Sequence, residues 1–131
     1  MPGKGHFLMG IRQHVDEWLA AHGETVIGWR RHFHTHPELS HQERHTTEFI
    51  TTVLREHGMT PTLFPTTGLM VDIGPGVGPR IAFRADLDAL PIEETAPVAF
   101  RSASPGVMHA CGHDVHTAIV LALACALNTY P

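Results

Sequence analysis

Residues Met108-His109-Ala110-Cys111-Gly112-His113-Asp114-Val115-His116-Thr117 set one thiol, three imidazoles and one carboxylate within ten positions, and an apolar run from Ala118 to Leu127 follows at once. The Ala, Ile, Val and Leu of that run give a helix with little polar relief, which calls for burial on most sides. The helix is expected to begin near Asp114 or Thr117 and to end near Asn128. Ligand-type side chains fixed at the start of a buried helix describe a site carried on a rigid element.

Upstream of this stretch the apolar period is two. Residues 60–64, 68–73 and 80–85 read as short strands, with Ile81 and Phe83 on one face of the third. Gly74-Pro75-Gly76-Val77-Gly78-Pro79 reads as a turn between strands. The third strand runs into Asp86-Leu87-Asp88, and residues 92–107, with Glu93-Glu94 and Pro97, read as an irregular polar loop. Further back the period is helical. Val15, Trp18, Leu19, Val26, Trp29 and Phe33 form one stripe, with Gly23 a candidate joint between two helices. Residues 1–14, with Gly3, Gly5 and Gly10, read as a loose lead-in to a single domain over 15–131. Pro37 turns the chain after His34-Thr35-His36. Ser40-His41-Gln42-Glu43 has the capping-box pattern, with Ser40 as N-cap of a helix carrying Phe49, Ile50, Val53 and Leu54 and stopped at Gly58. Helices with turn-bounded strands point to α/β or α+β architecture.

Composition bounds the function. The chain has 131 residues, 43% hydrophobic and 17% charged, with a net charge of −4, which is the profile of a core-forming domain. Its densest basic spot is Arg30-Arg31, too small for a nucleic-acid surface. The longest apolar run, 10 residues, is well short of the roughly 20 of a membrane span. The N-terminus lacks the apolar core and cleavage site of a signal peptide, and two cysteines are too few for a secreted scaffold. The expectation is a soluble cytoplasmic protein without nucleic-acid or membrane partners.

Cys111-Gly112-His113 could bring a thiolate and an imidazole onto one ion, Gly112 permitting the tight path between them. Asp114 and His116 could stand behind those ligands or add another. The plainer alternative is a small Cys beside clustered surface histidines. Asp86 and Asp88, two apart on a strand, point to one side at its C-terminal end, where α/β sheets hold ligands; spacing alone favours the plainer reading, two solvated loop acids, one capping a turn. His34-Thr35-His36 reads as a helix exit, Glu93-Glu94 as a solvated pair, and Cys125, Trp18 and Trp29 as packing. No G-x-S-x-G, phosphate-cradling glycine loop or H-E-x-x-H is present.

Three long segments in order carry a resemblance: Arg30-Arg31-His32-Phe33-His34-Thr35-His36-Pro37-Glu38-Leu39-Ser40, then Arg84-Ala85-Asp86-Leu87-Asp88-Ala89-Leu90-Pro91-Ile92-Glu93-Glu94, then residues 105–118. Together they resemble the M20 metallopeptidase family, in its amidohydrolase branch with hippurate hydrolase, indole-acetyl-amino-acid hydrolases and N-acetyl-diaminopimelate deacetylase. The resemblance implies an α/β, zinc-exopeptidase-type catalytic domain with helices on a mostly β central sheet, and a separate lid domain. It implies two divalent ions, Zn or else Mn or Co, and a bridging water that attacks the carbonyl of an N-acyl amino acid or small amide. Cys111 and His113 match the family's first metal ligands. Asp88 matches the aspartate that orients a ligand, and Asp86 falls where many relatives carry a ligand His. His34 and His36 match a motif with no assigned chemistry. The family's catalytic Glu, its remaining ligands and the lid, through which a full-length form would make a homodimer, lie beyond the helix that starts after His116. The expected function is therefore metal-dependent amide hydrolysis, with this chain as the N-terminal part of the enzyme. The alternatives are a metal-binding remnant without turnover and a His-rich structural module.

Overall fold

The structure is a computed structural model that describes residues 4–131, with side chains from residue 10 onward. Its first element, α1 (Lys4–Thr35), is one unbroken helix of 32 residues, about 48 Å long at 1.5 Å per residue. This corrects two expectations. The stretch 1–14 is helical from Lys4 onward, residues 1–3 lying outside the described part, and Gly23 does not divide the helix. A glycine costs a helix only about 1 kcal/mol relative to alanine. Trp18, Trp29 and Phe33, all buried, secure the helix on either side of Gly23. Near its start, a Cβ on Gly10 would lie 3.1 Å from the Tyr130 hydroxyl, and His14 Nε2 is 2.9 Å from the Ala126 carbonyl oxygen. Small size at residue 10 thus lets α1 lie close against the far end of the last helix.

Helix α2 (Arg44–Glu56) buries Ile50, Val53 and Leu54 against α1 and the last helix. Its cap differs from the capping-box reading. Glu38, not Ser40, satisfies the first turn. Its carboxylate accepts the amides of His45 and Thr46 at 3.1 and 2.6 Å and the Thr46 hydroxyl at 2.7 Å. Glu43 instead accepts the Thr67 hydroxyl at 2.8 Å. His41, at φ 64°, bends the chain so that Glu38 reaches over the helix start.

The strands are shorter than their sequence pattern. β1 (Thr62–Leu63) and β2 (Leu69–Met70) form one antiparallel ladder, Thr62 facing Met70 and Leu63 facing Leu69. Residues 80–85 pair with no strand among the described residues, and Ile81 and Phe83 stand 83% and 62% exposed. Alternation supplies a strand's two faces, but a ladder needs a neighbouring edge. Two single bridges do more for the site than the ladder does. Leu39 meets Ala89 in parallel and Leu90 meets Met108 antiparallel, with Ala89 N–H donating to Glu38 O at 2.8 Å and Leu90 N–H to Met108 O at 2.9 Å. The chain after α1, the segment around Asp88 and the approach to Cys111 are thereby stitched side by side.

Helix α3 (His113–Asn128) closes the core, packing chiefly on α1. Thr117, Ala118, Leu121, Ala122, Cys125 and Ala126 form its buried face. Val115 and Ile119 are 39% and 57% exposed, so the helix is covered on one face and not nearly all round. Among the described residues no helix is long and apolar enough to cross a membrane.

Candidate metal centre

Gly112 sits at φ 82° as the residue before α3, a left-handed conformation that side-chain-bearing residues rarely hold. The chain therefore passes from Cys111 to the first residue of α3, His113, in a single turn. Asp88 arrives from the bridged segment on the other side. His113 Nδ1 donates to the Asp88 carbonyl oxygen at 2.8 Å and lies 3.1 Å from Asp88 Oδ1. With its proton held on Nδ1, the neutral ring presents its lone pair at Nε2, which is how metal-binding histidines are oriented. Cys111 is an exposed free thiol. The donor chemistry thus fits part of a metal shell: one thiol and one anchored imidazole. Among the described residues no group of three or more His, Cys, Asp or Glu side chains is gathered that could hold an ion, whereas a closed tetrahedral shell takes four donors.

The other candidates fall elsewhere. Asp86 is exposed, and its carboxylate accepts from Arg84 at 2.7 and 3.1 Å, while its carbonyl accepts the Thr117 hydroxyl at 3.2 Å. His116 is exposed, its ring centroid 6.1 Å from that of His113. Asp114 is wholly buried and turns to α1. Its Oδ2 accepts from His34 Nδ1 at 2.8 Å and forms an ion pair with Arg30 Nε at 2.9 Å, the latter not aligned as a hydrogen bond.

Glu94 overturns the reading of its segment as a solvated pair, while His34 stands at the exit of α1 as its segment reads, but buried. His34 is 5% exposed and Glu94 6%; neither lies in a solvated loop. His34 Nε2 is 2.9 Å from Glu94 Oε1, and Glu94 Oε2 accepts the Ser102 amide at 2.5 Å. Phe100 covers the cluster, its ring centroid 5.6 Å from that of His34 and 4.9 Å from the Arg30 guanidinium carbon. Only Glu93, exposed and accepting the Gly106 amide, behaves as a loop acid. Filling both His34 contacts takes two protons among His34, Asp114 and Glu94: an imidazolium between carboxylates, or a neutral ring with one carboxylic acid. A sequence signal for this network did exist. Arg30 and His34 are four apart beside the apolar stripe, and Asp114 sits at helical spacing from Ala118, Leu121 and Cys125, a carboxylate on a core face that demands partners.

Burial works to raise the Glu94 carboxyl, but hydrogen bonds from His34 and the Ser102 amide, with the charges of His34 and Arg101, hold it below the usual Glu value. His109 is 5% exposed, and neither ring nitrogen has a hydrogen-bond partner among the described residues. Burial above all lowers its pKa, with Asp114 opposing and His34 adding to the drop.

Comparison with known proteins supplies the context. The model of peptidase family M20/M25/M40 matches residues 82–131, which hold Asp86, Asp88, Cys111 and His113. An N-acyl-L-amino acid amidohydrolase of Geobacillus stearothermophilus is 52% identical over 116 residues, 87% of this chain and 30% of that protein. An N-acetyl-L-cysteine deacetylase of Bacillus subtilis is 51% identical over 108 residues, 80% of this chain and 26% of that protein. A solved Bacillus subtilis structure, described as a dinuclear metal binding peptidase from the M20 family, superposes with a TM-score of 0.79 at 45% identity, covering 83% of this chain and 32% of its own. The chain therefore spans less than a third of the length of these relatives, and its fold and ordered motifs agree on one conclusion: it belongs to the M20 peptidase family and matches a part of its amidohydrolase-type relatives.

Proposed function

We propose that the protein acts as a metal-dependent amidohydrolase on N-acyl amino acids or similar small amides. The observation that carries this is His113, anchored through Nδ1 on Asp88 with Nε2 left for a ligand, one glycine away from the exposed Cys111 thiol. The names of the Geobacillus and Bacillus relatives support the substrate class, and the solved neighbour supports a pair of divalent ions. Cys111 and His113 would hold such an ion. A thiolate in the set favours Zn or Co, with Mn compatible with the nitrogen and oxygen donors.

When bound, a divalent ion supplies polarisation of the scissile carbonyl and acidification of water. The chain's own residues prepare that chemistry. Asp88 keeps a proton on His113 Nδ1 and so keeps the ring from turning. Gly112 sets the thiol and the imidazole on either side of one turn. Hydrolysis also needs a group to move the proton, and we assign that role to neither Glu93 nor Glu94. Glu94 is buried between His34 and the Ser102 amide, and Glu93 holds the Gly106 amide.

A second reading, a metal-binding chain without turnover, rests on the two donors seen where a complete shell takes more. Incubating the purified protein with Zn or Co and an N-acetyl amino acid separates the two. Release of the free amino acid, abolished by a chelator and by Cys111→Ala, supports hydrolysis. Stoichiometric metal uptake with no release supports the second reading, and no uptake refutes both. The unpaired thiols at Cys111 and Cys125 fit a reducing cytoplasm, a placement that cell fractionation tests. A homodimer of the longer form belongs to the same reading, and sedimentation of that form tests it.

A further inference from the structure

We infer that His34 is a positioning residue for the metal donors: through Asp114 it locks the first turn of α3, and with it the aim of His113. The inference rests on the proposed function for what is positioned, but on geometry for how. A carboxylate taken fully out of water is held only by its partners, and Asp114 is 0% exposed. Its partners, His34 and Arg30, both belong to α1.

Asp114 is the second residue of α3 and follows His113 directly. The residue before the helix, Gly112, offers no side-chain cap, so no capping side chain fixes this turn. Were α3 to rotate or slide at its start, the buried carboxylate would lose both partners at once. The lock has a second side. His34 also meets Glu94, which holds the Ser102 amide, and Ala103 N–H donates to the Thr35 carbonyl at 2.8 Å. The loop that leads into Met108–Cys111 is thus tied to the same turn of α1. His113 is therefore fixed twice, by Asp88 on its ring and by Asp114 on its backbone, while the loop before Cys111 keeps its Ala103–Thr35 tie to α1 even where the Glu94 contact is lost.

The two nitrogens of His34 can be replaced separately. The amide nitrogen of Asn stands near the place of Nδ1 and can keep the Asp114 contact; that of Gln stands near Nε2 and can keep the Glu94 contact. Zinc affinity is read by competition with a chromophoric chelator, and the His113 ring by proton–nitrogen NMR on the metal-free protein. Circular dichroism confirms that each variant is folded. His34→Asn is expected to bind zinc within about threefold of the parent and to leave the His113 signals in place. His34→Gln is expected to bind at least about tenfold more weakly, the loss usual when a ligand's support is removed, and to shift or broaden those signals, even where the two variants are equally destabilised. Zinc affinity and His113 signals that follow stability alone, or that are the same in both variants, overturn the inference. A parent protein that binds no zinc refutes the proposed function instead, and the metal-free NMR comparison still decides whether His34 positions His113.

Discussion

His34 and Asp114, 80 residues apart in the chain, share a 2.8 Å hydrogen bond in the interior, the first on the last turn of α1 and the second on the first turn of α3. Removing one member of such a pair leaves the other buried without its counterpart, which costs about 3–5 kcal/mol. Asp114→Ala is expected to lower stability by that amount in urea unfolding followed by circular dichroism, and Asp114→Asn, which retains an acceptor, by less. A loss below about 1 kcal/mol for Asp114→Ala, the level of an ordinary surface pair, would show that the network is not a stability determinant.

Glu94 sets an acid limit. Its folded-state pKa is lowered beneath the ordinary 4.5, so the unfolded chain takes up the proton first. Its contribution is fully present above pH 4.5 and is lost as pH falls through the lowered folded value. The melting temperature of the parent should drop steeply below pH 4.5, and that of Glu94→Gln should start lower and fall less over the same range. Parallel curves for the two proteins would rule out Glu94 as the source.

The two thiols should differ in reactivity. Cys125 is 0% exposed, and burial pushes its pKa from 9.0 up to about 11. Cys111 is exposed. Since the thiolate is the reacting form, iodoacetamide at pH 8 should label Cys111 in the folded protein and Cys125 only in denaturant, as read by peptide mass spectrometry. Labelling of Cys125 at a comparable rate under native conditions contradicts the core assignment.

Asp88 supports a donor without being the main one. Asp88→Ala removes the carboxylate 3.1 Å from His113 Nδ1 but keeps the backbone carbonyl that accepts its proton, so it should weaken zinc binding by about tenfold at most, the low end of the loss for a ligand's support, while leaving the stoichiometry unchanged. Cys111→Ala and His113→Ala should each lower affinity further. Titration against a chelator measures all three, and an affinity in Asp88→Ala equal to the parent's would show that the Asp88 carbonyl alone orients His113 and that its carboxylate has no part in the site.

The cap of α2 offers a direct contest between pattern and geometry. Glu38→Ala should cost about 0.5–2 kcal/mol, the range for lost N-caps, because three hydrogen bonds end on that carboxylate. Ser40→Ala should change stability by less than about 0.5 kcal/mol, as surface substitutions do. Equilibrium unfolding of the two variants decides which residue caps the helix.

Much of this molecule follows from local order along the chain. The stripe through Trp18, Trp29 and Phe33 marks the buried face of α1, because helical spacing alone sets which side chains share a side. Gly112 between Cys111 and His113 announces a turn, and the three ordered motifs announce the family. Other features were set by distance in space. Whether residues 80–85 pair depends on an edge that alternation cannot supply. Glu38 outcompetes Ser40 because His41 bends the chain back over α2. The largest difference lies at His34, Glu94 and Asp114. His34 and Glu94, taken singly, fit a solvated surface, and the core-face position of Asp114 calls for partners without naming them. Only the packing of α1 against α3 brings them together away from water, where a charge persists because opposite groups meet it, and the meeting of residues 80 positions apart is a property of the fold.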